Sequence, residues 1–88
     1  MKTNEMRYNE MATDMLKIFS YNIIVLRAHY GYSQKRMAQL LGIGVGSLCK
    51  IERGIIPPRL TVDIIFAVQK HFHISPDTLF SKDLVDML

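Results

Sequence analysis

The clearest pattern of apolar and polar positions lies in residues 33–54. Apolar residues recur there at the spacing of one helix face, which predicts a helix over residues 34–41. Its buried stripe is predicted to be Met37, Ala38 and Leu41. Ser33 precedes this helix, and its hydroxyl can accept a hydrogen bond from an otherwise unpaired backbone N–H. Gly42 follows it, where glycine commonly ends a helix in the left-handed conformation.

A second short helix is predicted after a turn of about three residues. Ile43 is the apolar residue of the turn, Gly44 opens the helix, and Gly54 ends it. The inward stripe of this helix is predicted to be Leu48 and Ile51. Two short helices joined by a tight turn that contains glycine are the pattern of the DNA-binding helix-turn-helix.

A longer helix is predicted before this motif, from about Met15 to Tyr30, with Thr13 or Asp14 as its N-cap and Gly31 at its end. Its main inward stripe is predicted to be Met15, Phe19, Ile23, Leu26 and Tyr30. The opposite side is also apolar and carries Ile18, Tyr21, Ile24, Val25 and Ala28. A helix that is apolar nearly all round is buried on more than one side. The N-terminal segment, the C-terminal tail or a second copy of the chain must therefore cover the second face.

The remaining sequence predicts two further helices. Two prolines at positions 57–58 force an extended loop, after which Thr61 caps a helix that runs to about Phe72. That helix is predicted to bury Val62, Ile65, Phe66, Val68 and Phe72. The run Ser75–Asp77 starts a short fifth helix, because it combines a capping serine, a proline at the first position and an acid in the first turn. Residues 81–88 form an apolar tail, which can add a sixth helical piece.

The order and spacing of these motifs resemble the Cro/C1-type (XRE-like) helix-turn-helix DNA-binding domains. The resemblance covers residues 19–80 and rests on Leu26-Arg27, Ser33-Gln34, Met37-Ala38, Leu41-Gly42-Ile43, Lys50-Ile51-Glu52, Gly54, Pro58, Phe72–Ile74 and Leu79-Phe80. It implies an all-α fold, a five-helix Cro/C1 (lambda repressor-like) bundle. We place this domain at residues 15–80, with an N-terminal tail or helical extension at 1–14 and the apolar C-terminal tail at 81–88.

The formal net charge is +3, and its distribution is more informative than its size. Residues 33–59 contain five basic side chains and one acid, a net of +4, whereas residues 1–32 carry a net of +1 and residues 60–88 a net of −2. The five basic residues are Lys35, Arg36, Lys50, Arg53 and Arg59. Positive charge concentrated on a helix-turn-helix is typical of a surface that binds phosphates. A solvated face with an accidental imbalance is the alternative.

The outward face of the second motif helix is the predicted DNA-reading surface. By the resemblance, its base-facing positions are Val45, Gly46, Ser47 and Cys49. The resemblance also implies that Gln34 contacts the DNA backbone, where the helix N-terminus offers free N–H groups to a phosphate. Arg53 and Arg59 are expected on flanking phosphates. The complete predicted DNA-binding set is Ser33, Gln34, Gly44, Val45, Gly46, Ser47, Cys49, Lys50, Arg53 and Arg59.

The base-facing positions depart from the residues that usually read DNA. Arg, Lys, Asn and Gln make the strong bidentate contacts with bases, and none of them stands at these positions. Val45 offers methyl groups, Gly46 offers bare backbone, and Ser47 offers one hydroxyl. Specificity is therefore predicted to depend on DNA shape. The alternative is that this helix is only a packing element in a domain that binds protein.

Arg27 and Glu52 form a second predicted group of interacting side chains. The resemblance implies that they pair and so tie the first helix to the reading helix. A guanidinium can hold a carboxylate bidentately in a partly buried site. We therefore predict a structural ion pair, with two separately solvated charges as the alternative.

Other chemistry is not indicated by the sequence. His71 and His73 stand two apart and diverge on a helix, so no metal site is expected. No cofactor motif, nucleophile–base pattern or phosphate loop predicts an enzyme. Cys49 is the only cysteine, which excludes an internal disulfide. No apolar run approaches the roughly 20 residues that span a bilayer, and a cytoplasmic protein is expected.

The leading interpretation is a small transcriptional regulator, a repressor that binds double-stranded DNA and occupies a promoter. A homodimer is expected, because operators are commonly two-fold symmetric. The candidate dimer residues are Ile18, Tyr21, Ile24, Val25, Leu84, Met87 and Leu88. The alternative function is a helical protein–protein interaction module, or an antitoxin-like partner, built on the same fold.

Overall fold

Residues 2–88 form six helices, and the prediction of an all-α fold is confirmed. The computed structural model describes the backbone of residues 2–88 and the side chains of residues 14–57 and 59–88. In chain order the helices are α1 (Lys2–Tyr30), α2 (Gln34–Leu41), α3 (Val45–Glu52), α4 (Pro58–Phe72), α5 (Pro76–Leu79) and α6 (Leu84–Met87). Between residues 2 and 88, no helix combines the length and the apolar character needed to cross a membrane.

One hydrophobic core joins all six helices. Its buried residues are Phe19, Ile23, Leu26, Met37, Ala38, Leu41, Leu48, Ile51, Ile64, Val68, Phe72, Leu79 and Leu84. The predicted stripes of α2 and α3 are all among them, so these predictions are confirmed. Burial of each large apolar side chain contributes roughly 1.5–3 kcal/mol, and this shared core fixes α2 and α3 against α1 and α4.

The caps of α2 are also as predicted. The Ser33 hydroxyl accepts a hydrogen bond from the Arg36 N–H at 3.1 Å. Gly42 ends the helix in the left-handed conformation, with φ at 70°. The end of α4 uses His73 in the same conformation, with φ at 56°, and His73 is the only described residue other than glycine with a positive φ.

Helix α1 is longer than predicted, because it begins at Lys2. Thr13 and Asp14 therefore lie inside the helix, and the prediction that one of them is its N-cap is wrong. At about 1.5 Å per residue the 29-residue helix is as long as the whole molecule, which measures 45 × 28 × 19 Å. The two ends of the predicted inward stripe consequently extend past the core, and Met15 and Tyr30 are 48% and 43% exposed.

Helix α4 begins four residues earlier than predicted, at Pro58, whose missing N–H is not needed in a first turn. Thr61 is not the N-cap, and its hydroxyl donates instead to the Pro57 carbonyl at 3.4 Å. The core face is formed by Ile64, Val68 and Phe72. The predicted burial of Val62 and Phe66 is wrong, since they are 57% and 64% exposed, and Ile65 is half-buried at the border.

A buried amide ties the C-terminal turns to α1. The Asn22 Nδ2 group donates to the Leu79 carbonyl at 2.6 Å and to the Ser81 carbonyl at 2.9 Å. These acceptors are the carbonyl of the last residue of α5 and a carbonyl two residues beyond it, and carbonyls at a helix end lack partners within the helix. Asn22 therefore orders the chain between α5 and α6, and Leu84 of α6 closes the core.

Candidate nucleic-acid interface

The front end of α3 is an open surface. Its inward residues Leu48 and Ile51 are fully buried, which fixes the direction of the opposite face. Gly44, Val45 and Gly46 are exposed at the start of the helix. A Cβ atom built on Gly44 or Gly46 has no described atom within 4 Å outside its neighbours along the chain. The described part of the protein therefore leaves room for another molecule to approach this end.

Arg27 and Glu52 meet in a bidentate ion pair that joins α1 to α3. Arg27 Nε donates to Glu52 Oε2 and Nη2 donates to Glu52 Oε1, both at 2.9 Å. Arg27 Nη1 also donates to the main-chain carbonyl of Tyr32 at 3.3 Å. The Glu52 side chain is only 9% exposed and that of Arg27 is 26% exposed. The pair holds the last turn of α3 and neutralises its one carboxylate.

Gln34 and Cys49 extend this network to the contact between α2 and α3. Gln34 Nε2 donates to Glu52 Oε1 at 3.5 Å, and its Oε1 accepts from the Cys49 thiol at 3.5 Å. Both side chains are half-buried. The structure thus places Cys49 between the two helices, with its sulfur directed at Gln34. Val45 and Gly46 lie on the outer surface, and Ser47 lies half-buried at its border.

The basic residues of the segment 33–59 are all exposed. Lys35 and Arg36 lie on α2, Lys50 and Arg53 lie at the end of α3, and Arg59 lies at the start of α4. Among the side chains that the structure describes, Arg27–Glu52 is the only ion pair, so these five cations face solvent without an acidic partner there. Such a surface attracts phosphates, because its charge is not neutralised locally.

The Tyr32 carbonyl and the bridging role of Gln34 are features that the sequence did not reveal. A main-chain acceptor has no signature in the residue type, since every residue carries one. The contact between Gln34 and Glu52 depends on how α2 crosses α3, which spacing along the chain does not specify. Only the pairing of Arg27 with Glu52 had a signal, and it came from the resemblance.

The candidate dimer residues separate into three groups by exposure. Ile18, Ile24 and Val25 are half-buried, whereas Tyr21, Met87 and Leu88 are exposed. Leu84 is 1% exposed because it packs into the core of its own chain. Leu84 is therefore unavailable to a second copy, and its assignment to a dimer surface is wrong.

Comparison with known families agrees with this architecture. A family model described as helix-turn-helix matches residues 23–79, well over half of the chain. No match was found among curated proteins or among solved structures. The matched span runs from within α1 to the last residue of α5, and it contains both α2 and α3. The chain therefore belongs to the Cro/C1-type (XRE-like) helix-turn-helix family of DNA-binding regulators.

Proposed function

We propose that this protein is a cytoplasmic, sequence-specific regulator that binds double-stranded DNA and represses by occupying a promoter. In this proposal α3 enters the major groove with its N-terminal residues deepest. The observations that support it most directly are the open front end of α3 and the exposure of five basic side chains in residues 33–59, none of which forms an ion pair with a described acidic side chain.

The basic side chains are expected to position the protein on the DNA backbone. Lys35 and Arg36 lie on α2, before the reading helix, and Arg53 and Arg59 lie after it, so the two groups suit phosphates on either side of one groove. Ser33 and the N-terminus of α2 add backbone N–H groups that suit a phosphate. Each neutralised phosphate releases counterions, which makes the affinity depend on salt.

Base readout is expected to be sparse in hydrogen bonds. Val45 is exposed and suits a thymine methyl group, and Gly46 allows the backbone to approach a base edge closely. The Ser47 hydroxyl adds a polar group to this surface, whereas Cys49, also predicted to face the bases, directs its thiol at Gln34. Because these groups discriminate weakly between bases, sequence-dependent DNA shape must supply much of the specificity.

Salt dependence tests the proposal. Binding to a labelled random-sequence duplex, followed by fluorescence anisotropy from about 50 to 200 mM salt, is expected to weaken steeply. Arg53→Ala is expected to reduce the slope of log affinity against log salt by about one, because one phosphate contact is lost. Selection of bound fragments from random DNA then identifies the operator.

Lys82→Ala is the matched control for this experiment. Lys82 is exposed and carries the same charge, but it lies before α6 and outside the basic segment. Its removal is expected to leave the slope unchanged. If the protein shows no affinity for random duplex at low salt, the DNA-binding proposal is wrong. That result would favour the alternative function as a protein-interaction module.

A homodimer is part of the proposal. Met15 and Leu16 lie four and three residues before Phe19, on the core side of α1, yet both are exposed because the core ends at Phe19. A second copy of α1 can cover them in a two-fold symmetric contact. Light scattering at high micromolar concentration is expected to give twice the chain mass of 10.1 kDa, and the double variant Met15→Glu, Leu16→Glu is expected to give the monomer mass. A monomer mass for the unmodified chain would contradict the dimer.

A further inference from the structure

A cleft opens at the end of the molecule where α1, α4, α5 and α6 meet. Its volume is about 340 Å³. The side chains that bear on its chemistry are Tyr30, Phe72, His73, Ser75, Thr78 and Met87. None of the residues assigned above to DNA contact lines it.

The size of the cleft suits a small molecule. Pockets for small ligands commonly measure about 300–1,000 Å³, and an apolar cavity of about 150 Å³ accepts benzene. The cleft has about twice that room, which suits a molecule with two fused rings. A longer peptide segment would need more space than this.

Aromatic side chains form one wall. The rings of Tyr30 and Phe72 lie 5.1 Å apart, and the Tyr30 ring stacks on Tyr32 at 5.7 Å with an interplanar angle of 14°. Tyr30 is nevertheless 43% exposed, so part of its ring surface is still accessible. Aromatic rings attract further rings in offset-stacked or edge-to-face arrangements, and this wall therefore favours a planar aromatic ligand.

Polar side chains also line the cleft. The hydroxyls of Ser75 and Thr78 lie 3.0 Å apart. His73 adds an imidazole, which it presents from the left-handed conformation that glycine adopts elsewhere in this chain. Among the described side chains that line the cleft, there is no Lys, Arg, Asp or Glu. These side chains therefore offer no Lys, Arg, Asp or Glu partner that would favour a charged ligand.

We propose that this cleft binds an uncharged, planar molecule of two fused rings that carries one hydrogen-bonding group. Its rings lie against Tyr30 and Phe72, and its polar group meets His73 and the hydroxyls of Ser75 and Thr78.

Indole is a suitable probe, because it has two fused rings, no charge and one N–H donor. Titration of the isotope-labelled full chain, followed by amide chemical shifts, is expected to give saturable changes centred on Tyr30, His73 and Thr78. A dissociation constant of about a millimolar is expected for a probe of this size. Indane has the same shape without the N–H and is expected to bind several-fold more weakly, by analogy with other single hydrogen bonds.

One matched pair of variants and one further variant distinguish binding in the cleft from nonspecific apolar binding. Tyr30→Leu is expected to abolish saturation, whereas Tyr21→Leu, which removes an exposed tyrosine of the same helix outside the cleft, is expected to leave it unchanged. His73→Gly is expected to keep the fold, since glycine accepts φ near 56°, and to remove the preference for indole over indane.

Three results would overturn the proposal. The first is the absence of saturable shifts at several millimolar indole, on the affinity scale expected for such a small ligand. The second is a set of shifts centred on the exposed Val62 and Phe66 of α4, which would indicate nonspecific apolar contact. The third is a concentration dependence of the Tyr30 and Thr78 amides without indole, which would show that a second copy of the chain occupies the cleft.

Discussion

Asn22→Leu is expected to lower the free energy of unfolding by about 3 kcal/mol, because two carbonyls lose their donor at once. The hydrogen bond from Asn22 to the Leu79 carbonyl is buried, and the one to the Ser81 carbonyl is partly buried. An unsatisfied buried acceptor costs about 1–3 kcal/mol, and leucine fills a similar volume without donating. For a domain of this size the melting temperature should fall by roughly 15 °C, measured by circular dichroism.

Ser20→Ala is the control for this loss, since Ser20 lies two residues earlier and is also buried. The Ser20 Oγ finds no hydrogen-bond partner among the residues described. Removing this hydroxyl takes away a buried polar atom without breaking any hydrogen bond that the structure describes. The free energy of unfolding should therefore stay constant or rise by up to about 1 kcal/mol. An Asn22→Leu variant as stable as Ser20→Ala would show that the two carbonyl bonds do not order the C-terminal turns.

The parts of the fold that were predicted correctly are those with local causes. The start of α2 depends on the Ser33 hydroxyl and its end depends on the left-handed Gly42, and both are within one helical turn of the backbone that they control. Leu48 and Ile51 form a narrow stripe on a helix with few other large apolar residues. Local chemistry therefore determined the bounds and the inner face of the helix-turn-helix.

The errors concern choices that only tertiary packing makes. Helix α4 carries apolar residues on two faces, and spacing alone does not say whether Ile64 or Ile65 faces the core. The packing of α4 on α2 selects Ile64 and leaves Phe66 in solvent. Leu84 was predicted to lie on a dimer surface because it belongs to the apolar tail at residues 81–88, but Asn22 holds the start of that tail against α1.

The candidate site also combines features that the sequence predicts with contacts that only the packing of the helices creates. The charge of residues 33–59 and the outward face of α3 follow from the sequence, because a helical wheel and a count of side chains are enough. The hydrogen bonds from Gln34 to Glu52 and from Cys49 to Gln34 join residues 18 and 15 positions apart. They exist because α2 and α3 cross closely, which is a property of the core beneath them.

Glu52→Gln is expected to destabilise the protein by about 2 kcal/mol, because it removes the charge from a partly buried, bidentate pair. The Arg27 guanidinium then keeps a neutral acceptor in place of the carboxylate, beside the Tyr32 carbonyl. Thermal unfolding should show a fall in the melting temperature of roughly 10 °C. Asp63→Asn is the matched control, since it makes the same change in net charge at an exposed position of α4, and it should change stability by less than about 0.5 kcal/mol.

A double-mutant cycle separates the pair from its surroundings. Arg27→Met and Glu52→Met each leave one charged side chain without its ionic partner in a partly buried site. The double variant removes both charges and replaces them with apolar side chains. The double variant should therefore be more stable than the sum of the single effects implies, with a coupling of about 1–3 kcal/mol. Because the pair holds the last turn of α3, Glu52→Gln should also weaken binding to the selected operator more than Asp63→Asn does. Equal melting temperatures for Glu52→Gln and Asp63→Asn would mean that core packing alone positions α3.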